Sequence, residues 1–445
     1  MTEPVKRKKH HSSFQIIVFW FAAAIAAGTV LLWLPISSAT GSFTPILKAM
    51  FTATSAVCVT GLVVVDTATH WSGFGHAVII ILIQAGGMGV FTIALAISLL
   101  SGKRIGLMQR STMQEAIQAP AVGGIVKITG FIIKATLLFE LAGALALSPA
   151  FIKEFGFFKG VWNALFHSIS AFCNAGFDLM GAKSNFSSLT DYAASASVSL
   201  TITFLIIIGG LGFITWDDLK TNKLHIKKYR MQTKVVLATT GLLIILPALY
   251  LFFFEFDDMS IKERLLASLF QSVTLRTAGF NTVDFKILSD SAIALFIPLM
   301  MIGGSPGSTA GGIKTTTLVV LLAAAFASFR KREAPELFKR RVSNETIMNA
   351  ASIMIMYAVL FYFSALIISY TERLPMLTCM FETASAIGTV GLSLGITPSL
   401  GASSQLILIF LMFFGRAGGL TIIFAATSTV STGGAKFPLE KITVG

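Results

Sequence analysis

The sequence predicts an all-α membrane protein of four repeats, each an outer helix, a re-entrant half-helix, a glycine-ended strand and an inner helix, eight spans in all. Three observations predict it: long uncharged apolar blocks, basic residues confined to alternate connections, and a glycine-ended segment that recurs four times.

The apolar blocks come first. Of 445 residues 54% are hydrophobic and only 12% charged, and the mean hydropathy is +0.79. Soluble domains carry about 25% charged residues. Blocks at 14–34, 131–147, 198–216, 235–254, 353–368 and 406–414 hold few or no charges. A spanning helix needs roughly 20 mostly apolar residues, which several blocks reach with their flanks. A basic run precedes the first block, but the block is too long for a signal peptide and no small-residue cleavage site follows it in time. It reads as an uncleaved first span.

The basic residues orient the chain. They cluster at Lys6, Arg7, Lys8 and Lys9, at Lys103 and Arg104 with Arg110, at 220–234 and at 330–341. Basic residues on every second connection mark the cytoplasmic side. This places both termini in the cytoplasm, the tail with Lys436 and Lys441 included. A net charge of +13 does not indicate nucleic acid, because no aromatic residues interleave with the basic ones and no soluble domain holds them. Cys58, Cys173 and Cys379 are too few for a disulfide framework and read as packing thiols.

The repeat is carried by segments 54–62, 169–177, 273–280 and 385–392, each ending in glycine followed by Leu or Phe. Gly61, Gly176, Gly279 and Gly391 recur at intervals of 115, 103 and 112 residues. Before each lies a stretch of about 12 residues, at 45–56, 159–171, 260–272 and 375–386, too short to span and readable as a re-entrant half-helix. Ser42, Thr44 and Pro45, the Ser260 to Glu263 capping box, and Pro375 supply helix starts. A second glycine motif follows at Gly86, Gly209, Gly303 and Gly415, 24 or 25 residues on in three repeats and 33 in the second, where an outer loop carries the surplus. For one copy, close helix packing explains such glycines; the same order four times points to a repeat. The domain consists of a basic N-terminus (1–13), repeat 1 (14–101), repeat 2 (127–216), repeat 3 (234–329) with an intramembrane loop at 303–317, repeat 4 (345–430) and a tail (431–445).

Non-helical backbone at membrane depth is tolerated only where it lines a cavity, and a desolvated cation needs oxygens in place of its water. Four half-helices aim their negative ends inward around a pseudo-four-fold pore. The expected selectivity filter is Cys58, Val59, Thr60 and Gly61; Cys173, Asn174, Ala175 and Gly176; Arg276, Thr277, Ala278 and Gly279; and Gly388, Thr389, Val390 and Gly391. The third copy is one residue shorter after Phe270 and carries Arg276. No Thr-Val-Gly-Tyr-Gly run is present, so a short filter of weaker discrimination is expected.

A gate is expected below it, at Gly303, Gly304, Ser305, Pro306, Gly307, Ser308, Thr309, Ala310, Gly311, Gly312 and Lys314, with a helix kink as the plainer reading. A nucleotide-binding loop fails because Ile313 stands where Lys must follow the glycine. Arg416 replaces the glycine of the other three motifs and either hydrogen-bonds this loop or raises a barrier to outward cation flow; an ordinary salt bridge or snorkelling is the alternative. Glu140 reads as a structural partner for a polar group.

The four glycine-ended segments, the run from Gly307 to Thr315 and the run from Phe414 to Gly419 together resemble the Trk/Ktr/HKT superfamily of potassium transporters, nearest its KtrB-type subunits. The resemblance covers nearly the whole chain. It implies potassium uptake across a bacterial inner membrane through a channel-like pore, with potassium as substrate held by filter carbonyls and no cofactor on this chain. It implies a homodimer with one pore per protomer, Arg416 touching the gate, and a cytosolic ring of KtrA-type regulatory subunits that binds ATP or ADP. The basic connections 220–234 and 330–341 are then docking surfaces. Sodium-preferring relatives often carry serine in the first filter, so Gly61 favours potassium; a sodium-coupled or sodium-selective carrier is the rival. An enzyme is disfavoured, since His10, His11, His70, His76, His167 and His225 are scattered and form no catalytic cluster.

Overall fold

The computed structural model describes residues 12–89, 107–116, 125–419 and 421–422. The basic cluster at Lys6 to Lys9, His10 and His11, Lys103 and Arg104, the end of the first repeat (90–101), and residues 423–445 with Lys436 and Lys441 lie outside the described residues.

Helix α1 (Ser13–Trp33) starts at Ser12, whose hydroxyl accepts from the Gln15 amide while the Gln15 side chain returns the bond. Then come α2 (Ile46–Val57), α3 (Gly73–Met88), α4 (Leu107–Ala116), α5 (Ile125–Phe155) and α6 (Phe157–Phe172). The second half of the chain opens with α7 (Ala196–Leu211) and α8 (Phe213–Asn222) and continues with α9 (Met231–Tyr250), α10 (Ile261–Thr274) and α11 (Asp290–Met301). It closes with α12 (Thr315–Phe329), α13 (Asn344–Glu372), α14 (Met376–Gly388) and α15 (Ala402–Ala417).

Among the described residues, four helices are long and apolar enough to cross a membrane, five if α7 and α8, bent by 94° at their junction, count as one span. The bend sits at Gly212, with φ +91°. Gly89 and Gly418 end α3 and α15 in the same left-handed region, at φ +85° and +84°, which glycine adopts without steric cost.

The half-helices are α2, α6, α10 and α14. Pro45 and Pro375 cap α2 and α14, and the Ser260 hydroxyl caps α10. Helix α6 has no such signal; Gly156, at φ +78°, turns the chain straight out of α5. Side-chain hydroxyls dock the second and third half-helices on their outer helices: Ser168 Oγ donates to the Glu140 carbonyl at 2.6 Å and Ser272 Oγ to the Ile244 carbonyl at 2.6 Å.

Burial falls into two apolar clusters. One packs Phe151, Phe166 and Phe172 of α5 and α6 against α1, α3 and α7. The other gathers Phe296, Tyr357 and Phe381 from α11, α13 and α14. Leu138, Leu145, Phe254, Ile355 and Phe363 point outward from the long helices and are exposed, the arrangement of a surface solvated by lipid tails. A short hairpin of β1 (Glu336–Leu337) and β2 (Arg340–Arg341) precedes α13, and the long loop after α6 holds Lys183 in an ion pair with Glu154.

Candidate functional site

The four glycine segments meet. A Cβ placed on Gly61 would press on the Ala175 carbonyl and lie 3.1 Å from Gly176 Cα. One on Gly176 would lie 2.7 Å from the Ala278 carbonyl oxygen and 2.8 Å from Gly279 Cα. On Gly279 it would press on the Val390 carbonyl, 3.3 Å from Gly391 Cα; on Gly391 it would strike the Thr60 carbonyl, 2.9 Å from Gly61 Cα. Each glycine faces the carbonyl that precedes the next glycine, and the fourth returns to the first. The ring closes in chain order.

Local hydrogen bonds explain the shape of each segment. The residue two before each glycine is left-handed: Val59, Asn174, Thr277 and Thr389 have φ of +54°, +57°, +62° and +52°. Three of these are β-branched, for which the region is a genuine outlier costing on the order of 1–3 kcal/mol. The half-helix ends hold them there. Thr60, Ala175 and Val390 amides donate at 2.8 Å to the carbonyls of Ser55, Ser170 and Ser385. The third copy, one residue shorter, makes the equivalent bond from the Ala278 amide to the Thr274 carbonyl at 3.0 Å. Ser55 and Ser385 hydroxyls also accept from the Gly61 and Gly391 amides at 3.0 Å, whereas Ser170 Oγ donates to the Phe177 carbonyl at 2.7 Å and Thr274 Oγ1 to that of Phe280.

With these amides turned back to the half-helices, the segments form no strand ladder, which corrects the expected filter strands to irregular turns. The carbonyls of Thr60, Ala175, Ala278 and Val390 accept no hydrogen bond among the described residues. Sequence reasoning did not single out the Ser55, Ser170, Thr274 and Ser385 braces, although serine at the same offset in three copies was a readable signal. Cys58 and Cys173 are buried thiols. Arg276 is buried too; among the described residues its Nε and Nη2 lack partners, and its carbonyl accepts from Asn174 Nδ2 at 3.3 Å.

Beneath the ring the chain leaves α11 and is non-helical until Lys314. Ile302 and Ile313 bridge in parallel, with Gly303 N to Ile313 O at 2.8 Å. The tip docks on the end of α7: Ser305 N to Gly210 O at 3.0 Å, Thr309 N to Gly209 O at 3.2 Å, and Phe213 N to Gly307 O at 2.8 Å. Thr309 Oγ1 reaches Asn174 Oδ1 at 3.0 Å, and a Cβ on Gly311 would touch Thr389, so the loop contacts the second and fourth segments of the ring. Arg416 donates to the Thr309 carbonyl on one side and to Gly86 and Gly87 carbonyls on the other, the last at 3.2 Å. Lys314 Nζ donates to the Ala310 carbonyl at 2.8 Å. Gly86, Gly209 and Gly415 lie against the carbonyls of Val57, Phe172 and Ile387, so each packs an inner helix on a half-helix end. Glu140 is buried behind the second segment, where its Oε2 accepts from Gln84 Nε2 at 3.2 Å.

A cavity of about 850 Å³ opens above the ring, lined by Gly176, Gly279 and Gly391 and by Asp66, Asp178, Asp284 and Lys286. Burial pushes the Asp178 carboxyl up to about 6; the Met180 amide bond opposes the rise and the nearby Asp66 charge adds to it. A second cavity of about 110 Å³ lies on the other side, lined by Gly87, Ser308, Lys314, Arg416 and Gly418. Ring and loop separate the two. Among the described residues no three His, Cys, Asp or Glu side chains converge; the ring offers the carbonyls of Thr60, Ala175, Ala278 and Val390, with the hydroxyls of Thr60, Thr277 and Thr389 buried in the same segments.

A family model described as "Cation transport protein" (TrkH) matches residues 2–432. The chain belongs to the TrkH cation transport family. Potassium/sodium uptake protein NtpJ of Enterococcus hirae is 37% identical over 457 residues, covering 100% of each chain. Ktr system potassium uptake protein B of Bacillus subtilis is 38% identical over 423 residues, 93% of each. The crystal structure of the potassium transporter TrkH from Vibrio parahaemolyticus aligns with a TM-score of 0.75 at 21% identity, over 96% of this chain and 86% of that one, so the helical membrane fold is shared. Membership makes the chain a membrane cation transport protein and sets the enzyme reading aside.

Proposed function

We propose that this chain is the potassium-translocating subunit of a bacterial uptake system, and that the closed ring of glycine segments is its selectivity filter. The single observation that carries the reading is the ring itself: four carbonyl-lined turns in chain order, at the ends of four half-helices whose negative ends converge on it. Repeats 14–101, 127–216, 234–329 and 345–430 each contribute one outer and one inner span, eight in all, with both termini cytoplasmic. The loop at 303–314, shorter than the expected 303–317 because α12 begins at Thr315, is stapled by Arg416 and is the gate between the two cavities.

Relatives named for the Ktr system support a multi-subunit assembly: a homodimer with one pore per protomer, on a cytosolic ring of nucleotide-binding subunits that carries the ATP or ADP response. The exposed basic segments around Lys227 and Arg341 are its docking surface. A relative named as a potassium/sodium uptake protein favours a second reading, in which sodium is coupled or also carried.

Cation flux into proteoliposomes under potassium, rubidium or sodium gradients tests the proposal. The wild type is expected to prefer potassium and rubidium, and Gly61→Ser to lose that preference, because its Cβ presses on the Ala175 carbonyl. Sodium flux equal to potassium flux in the wild type, or an unchanged preference in the variant, contradicts it.

A further inference from the structure

The half-helices share a second repeated position. Thr52, His167, Gln271 and Glu382 each stand three residues before the hydroxyl that braces the glycine turn. All four are buried, at 1%, 0%, 0% and 0% exposure. Three of them reach the chain that leaves the ring on its outer side. His167 Nδ1 donates to the Asn163 carbonyl at 2.7 Å, which fixes a neutral imidazole whose Nε2 accepts from the Leu179 amide at 3.3 Å. Gln271 accepts, with its amide oriented to satisfy both ends, from the amides of Thr282 at 3.0 Å and Val283 at 3.1 Å. Glu382 Oε1 accepts from the hydroxyls of Ser393 and Thr397, the latter at 2.7 Å. Thr52 makes no such bond; among the described residues its hydroxyl has no partner.

We infer that His167, Gln271 and Glu382 are positioning residues that set the cation preference of the ring, by tying the chain beyond three of the four glycines to the middle of the same half-helix. The inference rests on reading the ring as the filter. Its physical basis is the left-handed backbone two residues before each glycine, which relaxes unless surrounding structure over-determines it. The Ser55, Ser170, Thr274 and Ser385 braces hold the inner side of each turn, and the tethers hold the outer side. With both sides held, the carbonyls between them cannot close on a smaller cation. The chemistry differs in each repeat (imidazole, amide, carboxylate), while the geometry is common to three.

The experiment measures the potassium-to-sodium flux ratio of the full chain in proteoliposomes. Glu382→Ala and Gln271→Leu are expected to lower the ratio by about fivefold, the factor that one typical buried hydrogen bond represents. Glu382→Gln, which keeps an accepting Oε1, is expected to restore the wild-type ratio, and Thr52→Val to leave it unchanged. If Glu382→Ala does not yield monodisperse protein, Ser393→Ala with Thr397→Val cuts the same tether from the other end and must lower the ratio. Wild-type ratios in the tether variants, or an equal fall in Thr52→Val, overturn the inference while Gly61→Ser still loses selectivity. A wild type without preference, or an unaffected Gly61→Ser, instead condemns the filter reading beneath it.

Discussion

Arg416 carries both a charge and a two-sided set of hydrogen bonds. Its guanidinium spans from the Thr309 carbonyl in the loop to Gly86 and Gly87 at the end of α3, a fork that an ammonium group on a flexible stem cannot reproduce. Bracing and electrostatic blocking therefore separate cleanly. Arg416→Lys keeps the positive charge and loses the two-sided staple; its resting cation flux should rise toward that of Arg416→Gln if the residue braces the gate. Wild-type flux in Arg416→Lys would mean that charge alone is the barrier. At the outer mouth, desolvation pushes the carboxyl pKa of the half-buried Asp178 up to about 6, and the nearby Asp66 charge adds to the rise. As pH falls through that value the cavity above the ring loses one negative charge, so uptake from dilute potassium should decline, and Asp178→Asn should flatten the profile at the lower level. An unchanged pH profile in the variant would remove Asp178 from the account.

The half-helices were the most legible elements. Proline and the Ser260 cap announce three of them, and the expected 45–56 and 260–272 became Ile46–Val57 and Ile261–Thr274. The second ran longer, Phe157–Phe172, because Gly156 lets α6 begin directly where α5 ends, without a polar cap for the sequence to display. The turns after the half-helices were legible as glycine-ended but not in conformation. Val59 and Thr389 are β-branched, a residue type that disfavours positive φ; the bonds back to Ser55 and Ser385 help to hold it. The second glycines illustrate the opposite case, where the plain reading was sound. Gly415 seats α15 on the Ile387 carbonyl at a distance no Cβ tolerates. Gly415→Ala should therefore destabilise the protein by about 1–3 kcal/mol, the usual cost of overpacking, visible as a lower thermal midpoint in detergent. An unchanged midpoint would show that the inner helix can shift freely.

At the scale of the whole molecule, charge placement and apolar block length were enough to predict a helical membrane protein, and the family match agrees. What the sequence could not give was closure. Segments more than a hundred residues apart come together only through packing that seats each half-helix against its neighbours, and the tethers at His167, Gln271 and Glu382 join groups whose partnership no spacing rule announces. The central claim, that the ring selects and holds potassium, is tested most directly by locating the cation. Crystals of the full chain grown in rubidium should show anomalous scattering on the ring axis, among the carbonyls of Thr60, Ala175, Ala278 and Val390, and that signal should vanish on exchange into sodium. Rubidium bound only elsewhere, or a ring that holds sodium equally well, would contradict it.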